Sequence, residues 1–135
     1  MEGKIKLIIF DLDGVLVEAK NIHYEALNEA LGDKYAISWN EHLSTYDGLK
    51  TTQKLDMLSE KKGLPIDIHS DIWENKQQLT LDKLRALKPN VDLIQTMNLL
   101  VSEGYKIAVC SNSIRKTCLT VLSKLYFSLC SFCTT

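Results

Sequence analysis

The sequence predicts an α/β fold, a parallel sheet interrupted just after its first strand by an all-α insertion. Three observations carry this. An unbroken apolar run, Leu7-Ile8-Ile9-Phe10, ends in Asp11-Leu12-Asp13-Gly14-Val15, the pattern of a buried parallel strand that delivers two carboxylates to its C-terminal end. A second run, Tyr105-Lys106-Ile107-Ala108-Val109-Cys110, leads straight into Ser111-Asn112-Ser113 and a helical pattern. Between the two runs lie three or four helical patterns, whereas a crossover between parallel strands needs only one helix.

Taken in order, Lys4 to Phe10 is the first strand, and residues 11–18 form a tight turn with a short apolar exit. Ile22, Ala26, Leu27, Ala30 and Leu31 follow helical spacing until Gly32. A short helical segment is expected over Glu41 to Tyr46, and Asp47-Gly48 marks a turn. Thr51 or Thr52 is expected to cap a helix containing Leu55, Met57 and Leu58, which stops at Gly63 with Pro65 beyond. Residues 67–87 read as one long helix, broken by Lys88-Pro89-Asn90. Asn90 then caps a helix through Val91, Ile94, Met97, Leu100 and Val101 that Gly104 ends. After the second strand, Ile114, Cys118, Val121, Leu122 and Leu125 mark the last helix. Residues 19–87 are therefore expected to form a helical unit, with 1–18 and 88–135 forming the sheet core; the helix near 91–103 is the true crossover.

Composition bounds the function. With 135 residues, 45% hydrophobic and 24% charged, and a net charge of −1, the chain reads as globular. No basic excess points to nucleic acid. No apolar run approaches the ~18 residues of a membrane span, and none resembles a signal-peptide core, so a cytoplasmic location is expected. Cys110, Cys118, Cys130 and Cys133 cluster in the last part of the chain, unlike a disulfide framework. Cys130-x-x-Cys133 lacks the second pair of ligands a zinc site needs, and is read as small apolar residues.

The chemistry sits at the two strand ends. Asp11, at the exit of a buried strand, can act as a carboxylate nucleophile toward a phosphoryl group. It also offers a hard oxygen to Mg²⁺, with the Asp13 carbonyl as a second ligand. Asp13 suits proton transfer to a leaving oxygen and from a water. Gly14 allows a sharp turn that brings backbone amides toward an anion. A calcium loop is excluded because Val15, Leu16 and Val17 stand where further acids are required. Ser111 and Asn112, at a helix N-terminus after a strand, form an anion-binding pattern, although a serine there also serves as a simple N-cap.

Phe10-Asp11-Leu12-Asp13-Gly14-Val15-Leu16 and Ile107-Ala108-Val109-Cys110-Ser111-Asn112-Ser113 resemble the first and second motifs of the haloacid dehalogenase-like hydrolase superfamily. The likeness is to its phosphatase and β-phosphoglucomutase-like branch, and it covers residues 4 to about 125. The resemblance implies a partial Rossmann-like core with a helical cap. It also implies Asp11 as nucleophile, Asp13 as acid/base, Ser111 as phosphate ligand and Mg²⁺ as cofactor, held by Asp11 and Asp13. Its substrate is then a small phosphorylated metabolite such as a sugar phosphate. In the cap, His23 stands where related mutases carry a histidine near the substrate hydroxyl, and Gly48-Leu49-Lys50-Thr51 resembles the loop over the substrate. The mutases place an Arg where Thr51 stands, which favours phosphatase over mutase. Lys50 is a candidate to replace that Arg at the substrate, with a solvated lysine as the alternative, and Lys76 is read as a solvated lysine.

The pattern also departs from the family. After Ser113 the only basic residues are Arg115, Lys116 and Lys124, and no Asp or Glu follows Glu103. The third-motif Lys and fourth-motif acids that the resemblance implies are therefore missing, and the chain reads as one cut short, or read out of frame, near residue 126. Without the family's neighbouring strand, Ile5 to Phe10 is expected to be an exposed apolar edge. Such an edge should pair with a second copy as a homo-oligomer, or with residues 126–132 as a third strand. Three functions follow: a Mg²⁺-dependent phosphatase, a phosphomutase, or a non-catalytic remnant that binds anions or itself.

Overall fold

In the computed structural model, residues 4–124 are described, together with the backbone of Ser131–Thr134. Contacts divide the chain into two units, Met1–Glu18 with Leu84–Thr135, and Ala19–Lys83.

The first unit is built on a parallel sheet of three strands, β1 (Leu7–Asp11), β2 (Lys106–Ser111) and β3 (Ser131–Thr134), in the order β1-β2-β3. Leu7 pairs with Lys106 and Asp11 with Cys110; Ala108 pairs with Ser131 and Ser111 with Thr134. β1 starts at Leu7 and not at Lys4. The Lys106 amide bonds to the Lys6 carbonyl at 2.8 Å, and β2 begins there, so the residues before Lys6 have no ladder to join. β3 lies beside β2, so it leaves the far edge of β1 open among the described residues. Residues 126–130 of the expected third strand lie outside them.

Side chains alternate across the sheet. Ile107, Val109 and Ser111 are buried and Ile8 and Phe10 half-buried, while Leu7, Ile9 and Asp11 on the opposite face are exposed. The apolar run had implied a strand covered on both faces. Ile9, however, is 62% exposed. Two right-handed crossovers running in the same direction put both crossover helices on one face, and these are α5 (Val91–Ser102) and α6 (Arg115–Lys124). Met97 of α5 and Cys118, Val121 and Leu122 of α6 are buried. The Asn90 side chain accepts from the Leu93 amide at 3.1 Å, fixing the start of α5.

The second unit is all-helical: α1 (Lys20–Leu31), α2 (Trp39–Glu41) running into a wide turn at His42–Tyr46, α3 (Thr51–Lys62) and α4 (His69–Leu84). Its core joins Leu27 and Leu31 of α1, Leu55 and Leu58 of α3, and Ile72 of α4 with Ile37, Tyr46 and Leu64. This is a core of its own, fed by the helical stripes read in the sequence. A capping box starts α2: the Ser38 hydroxyl accepts from the Glu41 amide, and the Glu41 carboxylate from the Ser38 amide. The N-cap of α3 is Lys50, not Thr51 or Thr52. The Lys50 amide donates to the Gln53 side chain at 3.1 Å, so a residue three positions on does the capping. Gly63 ends α3 in the left-handed region, φ +70°. The helix expected over 67–87 runs only from His69 to Leu84, entered by a tight 3-10 turn at Ile66–Ile68. Among the described residues no helix is long and apolar enough to cross a membrane.

Candidate active site

β1 stops at Asp11 because the chain winds up immediately afterwards. The amides of Val15, Leu16 and Val17 all close on the Leu12 carbonyl, at 3.3, 2.9 and 3.1 Å. Leu12, Leu16 and Val17 are buried, so apolar packing anchors the loop that carries the two acids. Gly14 sits at φ +79°, a conformation that favours glycine. Its amide donates to the Val17 carbonyl at 2.7 Å. Gly14 makes a sharp turn, with its own N–H engaged inside it.

Asp11 lies exposed at the strand end, one carboxylate oxygen accepting from the Leu12 amide at 2.8 Å. Asp13 is half-buried and accepts the Ser113 hydroxyl at 3.2 Å. The Ser113 amide donates in turn to the Ser111 hydroxyl oxygen at 3.0 Å, and Ser111 is buried at the end of β2. One chain of hydrogen bonds thus joins the ends of two neighbouring strands, Asp13 to Ser113 to Ser111. Register places Asp11 opposite Cys110, the residue just before Ser111. Asn112 is exposed between the two serines. Beneath them, the Cys118 thiol points at the Ser113 carbonyl, 3.7 Å away. Burial, with a smaller contribution from the Asp13 charge, pushes that thiol's pKa up, so Cys118 packs as a neutral group and not as a nucleophile.

Ser113 was visible in the sequence only as part of a serine-rich strand exit. The signal for its role was its spacing: two residues after Ser111, it is placed for a hydroxyl–amide turn.

The donors at the strand end are the Asp11 carboxylate and the Asp13 main-chain carbonyl. Both are hard oxygens, the kind Mg²⁺ takes, and Mg²⁺ keeps waters for its remaining positions. The two fit the ion in kind. Among the described residues no group of three His, Cys, Asp or Glu side chains could hold a metal. Mg²⁺ bound there would supply charge neutralisation for a phosphoryl group.

The helical unit carries its own polar group. His23 of α1 is half-buried, and its Nδ1 lies 3.4 Å from Lys76 Nζ of α4. Lys76 is only 4% exposed, which overturns its reading as a solvated lysine. The spacing Ile72-Lys76-Thr80 puts it on the buried stripe of α4, and Thr80 is fully buried. Gln77 donates to the Thr51 hydroxyl at 3.4 Å. Lys50 is exposed, and Lys54 is buried one turn further on. Lys54 and the fully buried His42 escaped the sequence reading.

A family model for haloacid dehalogenase-like hydrolases matches residues 8–129. The chain belongs to this family. The chain is 23% identical over 153 residues to a haloacid dehalogenase-like hydrolase domain-containing protein of Arabidopsis thaliana. That match takes in 90% of the chain and 48% of the relative, so the chain spans about half the length of the curated relative it matches. Among solved structures it is similar to CbbY of Rhodobacter sphaeroides, crystallised as an Asp-to-Asn variant with xylulose-(1,5)bisphosphate. The TM-score is 0.82 at 16% identity, covering 97% of this chain and 64% of that one. A hydrolase from Pseudomonas syringae matches with a TM-score of 0.77 at 19% identity, covering 97% and 61%. A protein described as a predicted phosphoglycolate phosphatase from Haemophilus somnus matches with 0.77 at 21%, covering 98% and 64%. At these identities the chain shares the neighbours' fold.

Proposed function

We propose that this chain carries the nucleophile-bearing part of a Mg²⁺-dependent phosphatase for a small phosphorylated metabolite of the sugar-phosphate class. The observation that carries the reading is the hydrogen-bonded link from Asp13 through Ser113 to Ser111, beside an exposed Asp11. In this reading an Asp11 oxygen attacks phosphorus and the bond from phosphorus to the leaving oxygen breaks, giving an aspartyl-phosphate. Asp13 gives its proton to the departing oxygen. It then takes one from the water that hydrolyses the aspartyl-phosphate. In this reading the Ser111 hydroxyl, held by the Ser113 amide, donates to a phosphate oxygen. Asn112 flanks the same anion. Asp11 and the Asp13 carbonyl hold the ion.

His23, Lys50 and Thr51 of the helical unit are proposed to select the substrate. The bisphosphate bound to CbbY supports the phosphorylated sugar class. A phosphomutase is the second reading, weakened by Thr51 standing where the mutases carry an Arg.

The test is hydrolysis of an aryl phosphate with Mg²⁺, comparing the chain with Asp11→Asn. Turnover lost in the variant supports the proposal. Equal rates would leave an anion-binding or self-associating module. Interconversion of sugar phosphate isomers would favour the mutase.

A further inference from the structure

His42 opens the wide turn after α2 and is fully buried, with neither ring nitrogen hydrogen-bonded among the described residues. Its ring stacks on Trp39, at 5.3 Å and 28°, and packs at 5.4 Å against the tilted ring of Tyr24. A phenylalanine would fill this place without leaving two polar atoms dry, and buried polar atoms without partners are rare because they are costly. The imidazole therefore supplies something that packing does not require. A carboxylate stands close by: Asp47 Oδ1 lies 3.8 Å from His42 Nε2, too far for a hydrogen bond. The other oxygen, Oδ2, lies 3.5 Å from Lys20 Nζ of α1. That outer pair is a third to a half exposed, so solvent and salt weaken it.

Asp47 is tied to His42 through the main chain as well. Its amide donates to the His42 carbonyl at 2.7 Å, closing the wide turn. Gly48 follows at φ +76°, the Leu49 amide returns to the Tyr46 carbonyl at 3.2 Å, and Lys50 caps α3. Asp47, Gly48 and Lys50 are exposed. A short link thus runs from the His42 turn to α3, and its one acid faces a buried imidazole.

We propose that His42 and Asp47 form a proton-operated latch on the segment 47–50. With His42 neutral, Asp47 is held from outside by Lys20. With His42 protonated, its Nε2–H donates to Asp47 Oδ1, and the gap of 3.8 Å closes to the roughly 2.8 Å of a charge-assisted bond, drawing Gly48 and Leu49 along. The charges around the ring decide when this happens. Burial opposes the charged ring most, and the Lys54 ammonium of α3 opposes it next; Asp47 favours it, while His23 and Lys20 of α1 oppose it to a lesser degree. The ring's pKa is thus held below the ordinary 6.5, so the latch is open at neutral pH and closes in acid. The segment leads into Lys50 and Thr51, which gives the latch control over substrate selection; that consequence rests on the phosphatase reading, whereas the latch itself does not.

The test is an NMR titration of the full chain from about pH 8 to about pH 4, following the His42 ring and the amides of Gly48 and Leu49. The two amides should move with the ring's midpoint, and that midpoint should lie below 6.5. Lys20→Ala removes a positive charge and the outer partner of Asp47, and should raise the midpoint. Asp47→Asn removes the inner acceptor, and should lower the midpoint and uncouple both amides from the ring. His42→Phe should abolish the step in the amides. A step that persists in His42→Phe belongs to Asp47 itself and overturns the proposal, as does a midpoint that neither Lys20→Ala nor Asp47→Asn moves. Amides of Gly48 and Leu49 that stay fixed while the ring titrates in the unaltered chain also overturn it, and this reading needs no variant. Unfolding before the ring titrates, seen as loss of helical circular dichroism, overturns it too, because the latch would then never close in the folded protein. No turnover is measured, so failure here leaves the phosphatase reading, tested by Asp11→Asn, untouched.

Discussion

Ser113 donates its hydroxyl to Asp13 and its backbone amide to the Ser111 hydroxyl oxygen, so one residue holds both the proposed acid/base, through its side chain, and the proposed phosphate ligand, through its main chain. Ser113→Ala removes the bond to Asp13 but keeps the amide bond to Ser111. A hydrogen bond to a charged group contributes about 1.5–3 kcal/mol, and each 1.36 kcal/mol is a factor of ten in rate. Turnover of an aryl phosphate should therefore fall roughly tenfold or more, with kcat affected more than KM; Ser113→Thr should restore much of it. Steady-state kinetics checks this, and an unchanged kcat would remove Ser113 from the account. The two acids and Ser111 were legible in the sequence because a strand exit is a local pattern. The bond from Ser113 to Asp13 was not, since it joins residues far apart in the chain and depends on strand register. Lys76 was misread for a related reason: its charge outweighed its place on the stripe Ile72-Lys76-Thr80, which the helix period alone would have put inside.

At the scale of elements, punctuation was the most legible feature. Gly32 and Gly63 end α1 and α3, and Asn90 starts α5, because each solves a backbone problem that few residues solve. The starts of β1 and α3 were less legible, since they depend on which neighbour supplies the next bond. Gly63 lies at φ +70°, and a Cβ built on it would meet nothing within 4 Å. The cost of Gly63→Ala is therefore conformational alone, roughly 1–2 kcal/mol, readable as a lower urea midpoint. A second expectation concerns the turn after α2. His42 is fully buried, neither ring nitrogen has a hydrogen-bond partner among the described residues, and its ring lies 5.3 Å from that of Trp39 and 5.4 Å from that of Tyr24. Burial first, then the Lys54 charge, lowers its pKa below the ordinary 6.5; Asp47 opposes this, while His23 and Lys20 add to it. Asp47 stands 3.8 Å away, a pair that forms only on protonation. The folded state holds His42 neutral, so the unfolded chain binds more protons as the pH falls below 6.5. Stability is then complete above that pH and is lost as the pH drops from it through the depressed folded value. His42→Phe keeps an aromatic ring without the titration and should flatten this acid limb. Trp39 and Trp73 are the chain's two tryptophans and both lie in the helical unit, so tryptophan fluorescence during urea unfolding at several pH values reads the effect there. An unaltered acid limb in the variant would rule out His42 as its source.

For the molecule as a whole, the sequence pointed to a parallel sheet interrupted by helices, and the sheet is there with β3 beside β2. The open edge of β1 was expected from the absence of a neighbouring strand; what the apolar run did not disclose is that one face stays open as well, among the described residues. Burial is a property of neighbours, and Leu7-Ile8-Ile9-Phe10 reads the same whether they are present or not. Parallel sheets occur almost only with both faces covered, and an unpaired apolar edge is a template for further pairing. Ile5, Leu7 and Ile9 are 70%, 49% and 62% exposed, and they recur at the spacing that places them on one side of the strand. Two such edges meeting about a two-fold axis would satisfy each other's backbone groups while bringing these side chains together. The chain should therefore self-associate, its mass by light scattering falling on dilution. Ile9→Lys puts a charge on that exposed face, where it disturbs no buried contact, and should shift the population toward monomer while leaving the helical content by circular dichroism unchanged. A mass that stays monomeric at every concentration, or an Ile9→Lys variant that associates as the parent does, would show that β1 is shielded by something other than a second copy.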